Sequence, residues 1–245
     1  GNTKAKGECH KSLNDCQTEF YGVEMGSSKA SNVRHLAITV GEGGSASFFV
    51  SKDDGKAHYD DTLPRRLIER IEKETRNGIK KSSNSGKGKS LSWNIRYLSC
   101  GPNGSYYAEL VSGLVLWSIG RHDEEFQRVM KNLNIHRVAF GSFDIDTSWV
   151  IICKDGRAVW RNIPCRLSKK LLSRTPDMAA PAEISLGSEG TYFVRFLDGE
   201  IDYCLPAYME DVVSKILRQG AEITSILLHP ESAHNFIIRH SMLPP

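Results

Sequence analysis

Cys204 is the cysteine whose surroundings come nearest to those of a nucleophile. It follows Tyr203 directly and precedes Leu205-Pro206, and proline commonly opens a helix. Because a thiol is activated by nearby positive charge or by a helix N-terminus, the helix expected after Pro206 is the one feature that favours a reactive Cys204. None of the six cysteines forms a C-x-x-C pair, which excludes zinc-ribbon and thioredoxin-like sites.

A second candidate site is the basic segment 76–90, RNGIKKSSNSGKGKS. It is rich in Gly, Ser and Lys and has few apolar residues, which is typical of a loop that packs against nothing. A solvated loop is one interpretation, and binding of an acidic protein, RNA or anionic lipid is the other. The cations are Arg76, Lys80, Lys81, Lys87 and Lys89. A phosphate-binding P-loop is excluded because Ser83 stands where its first glycine is required.

Three histidines near the end of the chain are candidate metal ligands. His229, His234 and His240 have Glu231 among them, but no cysteine or carboxylate pair stands at tight ligand spacing with them. The sequence therefore predicts no metal site. Serine hydrolase, kinase and dinucleotide fingerprints are also absent, and we predict no cofactor.

The first residues resemble a lipidation signal in part. Gly1 is a myristoylation site if an initiator Met was removed, although Ala5 stands where the stricter motif has Ser or Thr. Cys9 could then carry a palmitoyl group, and a cleavage scar would explain Gly1 equally well. The sequence has no long apolar run and no signal peptide, so no transmembrane segment is expected. We predict an intracellular, cytoplasmic protein, with peripheral membrane association if Gly1 is acylated.

The strongest pattern is an internal repeat of aromatic and glycine positions. In four copies an aromatic residue precedes a glycine by seven positions, and a second aromatic follows that glycine by four. The copies are Phe48, Gly55 and Tyr59; Tyr106, Gly113 and Trp117; Trp149, Gly156 and Trp160; and Tyr192, Gly199 and Tyr203. The glycines are 58, 43 and 43 residues apart, and an insertion at 76–90 explains the long first interval. We interpret the aromatics as packing positions, because each unit must bury the same face.

Each copy predicts three strands and a helix. An apolar stretch that ends in glycine, such as 138–141, reads as the first strand, and the first aromatic lies on the second. Asp-Gly, as at Asp155-Gly156, predicts a hairpin turn to the third strand, because glycine readily takes a positive φ. A proline such as Pro164 ends that strand and opens a helix. The aspartates are interpreted as turn residues rather than as cation ligands.

These units predict an α+β repeat protein with four to five β-β-β-α units. Their order of strands and helices resembles the αβ-propellers, which implies a closed ring; a linear stack and two lobes of paired units are the alternatives. Closure would remove exposed sheet edges. The predicted segments are 1–30, partly disordered with a closing strand at 17–23; units at about 31–91, 92–133, 134–179 and 180–220; a partial unit at 221–241; and a tail at 242–245.

The predicted function is a non-catalytic protein-interaction or scaffold module. A net charge of +3, from 32 basic and 29 acidic residues, is too balanced to make nucleic acid the first expectation. A protein partner is therefore expected first, and one alternative is an anionic partner (RNA, anionic lipid or acidic protein) bound by segment 76–90. The αβ-propellers include enzymes that act on guanidino groups through a cysteine nucleophile, so the resemblance implies a second alternative in which Cys204 is catalytic. The sequence does not predict the oligomeric state.

Overall fold

The computed structural model describes residues 8–13, 16–21, 33–40, 46–52, 57–59, 63–80, 95–120, 123–144 and 146–242. Within these residues the chain is mostly β-sheet, with four α-helices and five small antiparallel sheets. The coarse prediction of an α+β protein made of small repeated sheets is confirmed.

Sheets 1 to 4 each contain three strands in chain order, and one helix follows each sheet. Sheet 1 is β3 (Val33–Val40), β4 (Ala46–Lys52) and β5 (Ala57–Tyr59), followed by α1 (Arg65–Lys80). Sheet 2 is β6 (Ile95–Cys100), β7 (Tyr106–Leu110) and β8 (Val115–Ser118), followed by α2 (Glu124–Asn132). Sheet 3 is β9 (Ile135–Phe143), β10 (Asp146–Cys153) and β11 (Ala158–Arg161), followed by α3 (Cys165–Leu172). Sheet 4 is β12 (Pro181–Leu186), β13 (Tyr192–Phe196) and β14 (Ile201–Cys204), followed by α4 (Ala207–Arg218).

Sheet 5 combines the two ends of the chain. It contains β15 (Ala221–His229) and β16 (Ser232–Met242) with the N-terminal strands β2 (Cys16–Tyr21) and β1 (Glu8–Leu13), in the order β1-β2-β16-β15. β2 is antiparallel to β16, with Phe20 opposite Ile237. The segment predicted as a closing strand thus contributes residues 17–21 to this sheet, while residues 22 and 23 lie outside the described part. Strand β1 is an element that the sequence did not predict.

The hairpins between the second and third strands of sheets 2 to 4 share one geometry. Gly113, Gly156 and Gly199 have φ of +85°, +85° and +89°. In each hairpin the glycine N–H donates to the carbonyl three residues earlier, as from Gly156 to Cys153 at 3.0 Å. The residue before the glycine accepts from the N–H two positions on, as Asp155 Oδ1 does from Arg157 at 3.1 Å. The Asp-Gly pairs therefore fill a turn for which their backbone and side-chain chemistry suits them.

Proline begins three of the described helices. α1, α3 and α4 follow Pro64, Pro164 and Pro206, whose carbonyl groups accept from the first turn of each helix. α2 begins differently: Asp123 is its N-cap and accepts from the Phe126 N–H at 2.9 Å. Both solutions suit a helix start, where proline loses no bond and a carboxylate satisfies a backbone donor.

The hydrophobic core is divided into five clusters of buried residues, and each cluster joins two neighbouring sheets. Trp149 of sheet 3 packs with Tyr97 of sheet 2 in one of them, and Val194 of sheet 4 packs with Val150 of sheet 3 in another. The other three join sheets 1 and 2, sheets 4 and 5, and sheets 5 and 1. Each unit thus buries its apolar surface against its neighbours, as in other repeat proteins.

The first strands of the five sheets contact one another in sequence. β3 contacts β6, β6 contacts β9, β9 contacts β12, β12 contacts β15, and β15 contacts β3. The closed propeller that the sequence predicts is not shown by the structure, and it remains a proposal.

One part of the predicted basic loop is helical. α1 continues to Lys80, so the predicted loop is wrong for residues 76–80, while 81–94 lie outside the described residues. The physical reason is that helix propagation adds one hydrogen bond per residue once a nucleus exists. Residues 72–74 of α1 are good helix formers. The helix continues from them into residues 76–80, and Gly78 alone does not end it.

Candidate functional site

A β-bulge recurs near the start of the first strand in all five described sheets. The register shifts between positions 33 and 35, 95 and 97, 135 and 137, 181 and 183, and 223 and 225. A bulge adds one residue to a strand and re-aims the side chain beside it. The residues that directly follow the shift, which we call the bulge positions, are His35, Tyr97, Arg137, Glu183 and Ser225.

Four of the bulge positions contact one another in the order of their sheets. The ring centroids of His35 and Tyr97 are 4.8 Å apart. Arg137 Cζ lies 4.8 Å from the centroid of the Tyr97 ring, and Arg137 Nε lies 3.6 Å from Glu183 Oε2. Four residues that are about 40 or more positions apart in the chain therefore form one continuous group.

Two of these side chains also bind the backbone of the next sheet. His35 Nε2 lies 2.8 Å from the Leu98 carbonyl oxygen and 2.9 Å from the Leu98 nitrogen. Tyr97 Oη donates to the carbonyl of Val138 at 2.7 Å. Backbone groups on the first strand of one sheet are thus hydrogen-bonded by a side chain of the preceding sheet, as buried backbone groups require.

Two further arginines join the group from the second strands. Arg195 is directly opposite Glu183 in sheet 4, and Arg239 is opposite Ser225 in sheet 5. We call His35, Tyr97, Arg137, Glu183, Arg195 and Arg239 the polar cluster. All but the buried Tyr97 are half-buried.

Burial dominates the electrostatics of the polar cluster. It raises the pKa of the Glu183 carboxyl, against the opposing effect of Arg137, Arg195 and Arg239. It lowers the pKa of His35 to about 4, and the positive charges of Arg137 and Arg239 add to the effect. Burial also raises the pKa of Tyr97 well above its usual value. Near neutral pH, His35 and Tyr97 are therefore uncharged, and the arginines supply the charge.

Two guanidinium donors of the cluster have no acceptor among the described residues. Arg137 Nε and Arg239 Nε are both buried without a hydrogen-bond partner there. Arg195 Nε, in contrast, donates to the Thr224 carbonyl at 2.9 Å. Buried N–H groups are normally satisfied, so each such donor calls for an explanation.

A cavity of about 40 Å³ adjoins the cluster. Segments of β3, β6, β9, β12 and β15 line it, and His35, Tyr97 and Glu183 lie at its wall beside Cys100 and Ser185. One ordered water needs roughly 10–15 Å³, so this cavity holds only a few atoms. Burial raises the pKa of Cys100 to about 12, which leaves its thiol unreactive.

The repeated aromatics are not members of the polar cluster, and the first aromatics of sheets 2 to 4 lie in the core. Tyr106, Trp149 and Tyr192 are completely buried. The second aromatics reach the helices: the Trp117 ring packs edge-on against Phe126 of α2 with centroids 5.8 Å apart. Phe48 is half-buried. Tyr59 ends β5, and Gly55 lies outside the described residues.

The other predicted site residues do not join the polar cluster. Cys204 is exposed on the third strand of sheet 4, and within the described part of the chain no hydrogen bond joins it to a histidine. Arg76 and Lys80 lie on the last turns of α1, while Lys81, Lys87, Lys89 and Gly1 fall outside the described ranges. Cys9 is on β1.

The three histidines near the end of the chain differ in solvent exposure. His229 and His240 are buried, whereas His234 is exposed. Among the residues that the structure describes, no three His, Cys, Asp or Glu side chains are grouped as metal ligands. In the same residues, no helix combines the length and apolar character needed to cross a membrane.

The repeat of aromatics and glycines does not predict the polar cluster, although the sequence holds a signal for it. Tyr97, Arg137 and Glu183 each stand four residues before a glycine, namely Gly101, Gly141 and Gly187. Ser225 stands four residues before His229. When the units are aligned on these glycines, the position four residues earlier holds a different polar residue in each unit.

Comparison with known proteins does not identify a family. No family model matches the chain, and no curated protein matches it in sequence. Among solved structures, a catalytically inactive variant of virginiamycin B lyase from Staphylococcus aureus with quinupristin matches with 12% identity and a TM-score of 0.24. The match covers 99% of this chain and 82% of that one. A similarity this weak carries no argument about fold or function.

Proposed function

We propose that this chain is a non-catalytic protein-interaction module in which the five sheets close into a ring. The cyclic contacts of the first strands and the apolar cluster between sheets 5 and 1 support closure. In that cluster Leu36 and Ile38 of sheet 1 pack with Ile237 of sheet 5. A linear stack would leave these two sheets apart.

One observation carries the binding function: at the bulges, equivalent positions of the repeat hold unlike polar residues. Packing requires like residues at like positions, as the buried Tyr106, Trp149 and Tyr192 illustrate. The bulge positions instead carry His, Tyr, Arg, Glu and Ser on the same scaffold. Departures from a local rule are expected at functional sites, so the polar cluster is the proposed centre of the binding surface.

The surroundings of the cluster favour a protein partner. The hairpin turns of sheets 2 to 4 lie at the same end of their sheets as the bulges, because the bulged segment pairs with the last residues before each turn, as Pro181 does with Phe196. We call this the bulge end. Its turns expose apolar side chains, at 71% for Leu197, 40% for Val111 and 38% for Leu114. Exposed apolar side chains grouped at one end of a fold are a mark of protein-binding surfaces.

The geometry gives less support to catalysis. Exposed Cys204 has no general base in hydrogen-bond contact among the described residues, and nucleophilic catalysis needs such a base or an activated thiol. The basic segment with Arg76, Lys80, Lys81, Lys87 and Lys89 remains the alternative surface, for an anionic partner.

Capture of partners with matched variants tests the proposal. Baits would be the unaltered chain, Leu197→Asp at the bulge end, a variant with Lys80, Lys81, Lys87 and Lys89 changed to Ala, and Arg65→Asp as control. Arg65 is 91% exposed on α1. We expect Leu197→Asp alone to lose the captured protein. Recovery should persist between about 50 and 200 mM salt, whereas a partner of the basic loop should be lost steeply. If the captured protein is lost with the lysine variant but not with Leu197→Asp, the bulge end is not the binding surface.

Ring closure has its own test by hydrogen exchange. Ile237→Ala removes apolar contacts with sheet 1, so in a closed ring the amides of Leu36 and Ile38 should exchange faster together with those of β16. Ile226→Ala, in the cluster between sheets 4 and 5, is the matched control. Unchanged exchange at Leu36 and Ile38 in Ile237→Ala would favour a linear stack.

A further inference from the structure

The polar cluster carries more positive than negative charge. Arg137 is 3.6 Å from the single carboxylate, Glu183, Arg195 stands opposite it in sheet 4, and Arg239 also acts on it electrostatically. A further acid that acts on Arg137, Glu109, is already paired with Arg96 at 2.9 Å. A half-buried excess of guanidinium charge is costly unless an anion completes it.

The ion pair between Arg137 and Glu183 leaves guanidinium N–H donors without hydrogen bonds. Arg137 Nε is 3.6 Å from Glu183 Oε2, which is too long for a hydrogen bond. Arg137 Nε and Arg239 Nε are buried without an acceptor among the described residues. The cluster therefore contains buried guanidinium donors that its own carboxylate does not satisfy.

Two of the three arginines are also held in place before any ligand binds. Arg137 stacks on the Tyr97 ring, and the Tyr97 hydroxyl is fixed by its bond to Val138. Arg195 is fixed by its bond to Thr224. A guanidinium held over an aromatic ring keeps its N–H edge available, and that edge matches two oxygens of a carboxylate or phosphate.

We infer that the polar cluster is a receptor for one oxyanion, a carboxylate or a phosphate group presented by the partner at the bulge end. This inference rests on the proposed function, since it names the chemical group that the partner would insert. Glu183 would lower the affinity of the site for the oxyanion, because its negative charge competes with the incoming anion for the arginines.

Titration of the purified full chain with two probes tests the site. The probes are an acetylated triglutamate peptide and inorganic phosphate, followed through the ¹H–¹⁵N resonances of the Arg137 and Arg239 Nε–H groups. We expect saturable shifts of both resonances with at least one probe, and the probe that binds more tightly identifies the source of the oxyanion. No saturable shift with either probe up to about 10 mM, a range that includes weak affinities for a single anion, would overturn the inference.

Two substitutions should change the affinity in opposite directions. Glu183→Gln removes the competing charge with little change in shape, so affinity should rise about three- to tenfold. Arg239→Gln should lower it about tenfold. Arg65→Gln, on the exposed surface of α1, should leave it unchanged. A weakening in Glu183→Gln would overturn the inference, whether or not Arg239→Gln folds.

Failure of this inference can be separated from failure of the proposed function. If Leu197→Asp abolishes partner capture but neither probe binds, the oxyanion receptor is wrong and the interaction surface stands. If a probe binds as expected but capture is unaffected by Leu197→Asp, the oxyanion site stands and the proposed surface is wrong.

Discussion

Gly141 and Leu186 meet at the contact between sheets 3 and 4, where a Cβ atom on Gly141 would lie 2.6 Å from the Leu186 Cβ. The same relation joins Gly101 to Phe140, at 2.3 Å, and Gly187 to Leu228, at 3.1 Å. Gly101 and Gly187 directly follow β6 and β12, and Gly141 lies near the end of β9. Each adjoins the residue just before the equivalent position of the next sheet. The missing side chain is what lets neighbouring first strands approach.

Gly141→Ala should therefore destabilise the protein by about 3 kcal/mol, because the added methyl overpacks a contact made by backbone and Cβ atoms. The matched control is Gly113→Ala. Gly113 has a φ of +85° and no neighbour within 4 Å of an added Cβ, so it should lose only about 1 kcal/mol from backbone strain. Urea unfolding of both variants measures the difference. A smaller loss in Gly141→Ala than in Gly113→Ala would contradict the close approach of sheets 3 and 4.

Arg174 connects the end of α3 to the hairpin of sheet 4. Its side chain is only 7% exposed, with Nη1 3.1 Å from Glu200 Oε2. Its Cζ lies 3.6 Å from the Phe196 ring centroid, and its Nε donates to the Ala179 carbonyl at 2.7 Å. A lysine cannot make this set of contacts, because it lacks the planar fork.

We expect Arg174→Lys to lower the free energy of unfolding by about 2 kcal/mol. Arg157→Lys is the control, since Arg157 pairs with Asp155 on an exposed turn and should change stability by less than about 0.5 kcal/mol. Thermal and urea unfolding would both report the effect. Equal stability of the two variants would mean that the Arg174 contacts contribute nothing measurable.

His35 should make the protein less stable in mild acid. Burial lowers its pKa to about 4 from the ordinary 6.5, so the unfolded chain binds a proton more readily than the folded one. Stability from this group is complete above about pH 6.5 and is lost as the pH falls toward 4, by at most about 3 kcal/mol. His35→Gln should remove this part of the pH dependence. An unchanged slope between pH 6.5 and 4 in the variant would contradict the assignment.

Glu183 should act with the opposite sign. Burial raises the pKa of its carboxyl above the ordinary 4.5, so the folded protein binds the proton more tightly than the unfolded chain. Burial of the charged carboxylate therefore lowers the free energy of unfolding at neutral pH. This loss is removed as the pH falls through the raised pKa toward 4.5. Glu183→Gln should be more stable than the unaltered chain at pH 7, and the gain should vanish near pH 4. A loss of stability at pH 7 would mean that the ion pair with Arg137 outweighs the cost of burial.

Local chemistry makes the repeat recognisable in the sequence. A glycine after aspartate predicts a positive φ, and Gly156 has one of +85°. A proline after a strand predicts a helix start, and α3 follows Pro164. Both outcomes depend on a few neighbouring residues. The predicted end of α1 is wrong for a related reason, because the loop-like composition of residues 76–80 does not include the effect of the helix that propagates into them.

The amino-acid sequence by itself determined the β-β-β-α unit, its turns and its helix starts, since these follow from interactions within about ten residues. Only the tertiary structure decided that His35, Tyr97, Arg137 and Glu183 contact one another. A shift of one residue moves a side chain to the other face of a strand, so the bulges decide which residue of each first strand joins the group. The neighbours then come from sheets about 40 or more residues apart in the chain, and the local pattern of each unit carries no information about such contacts.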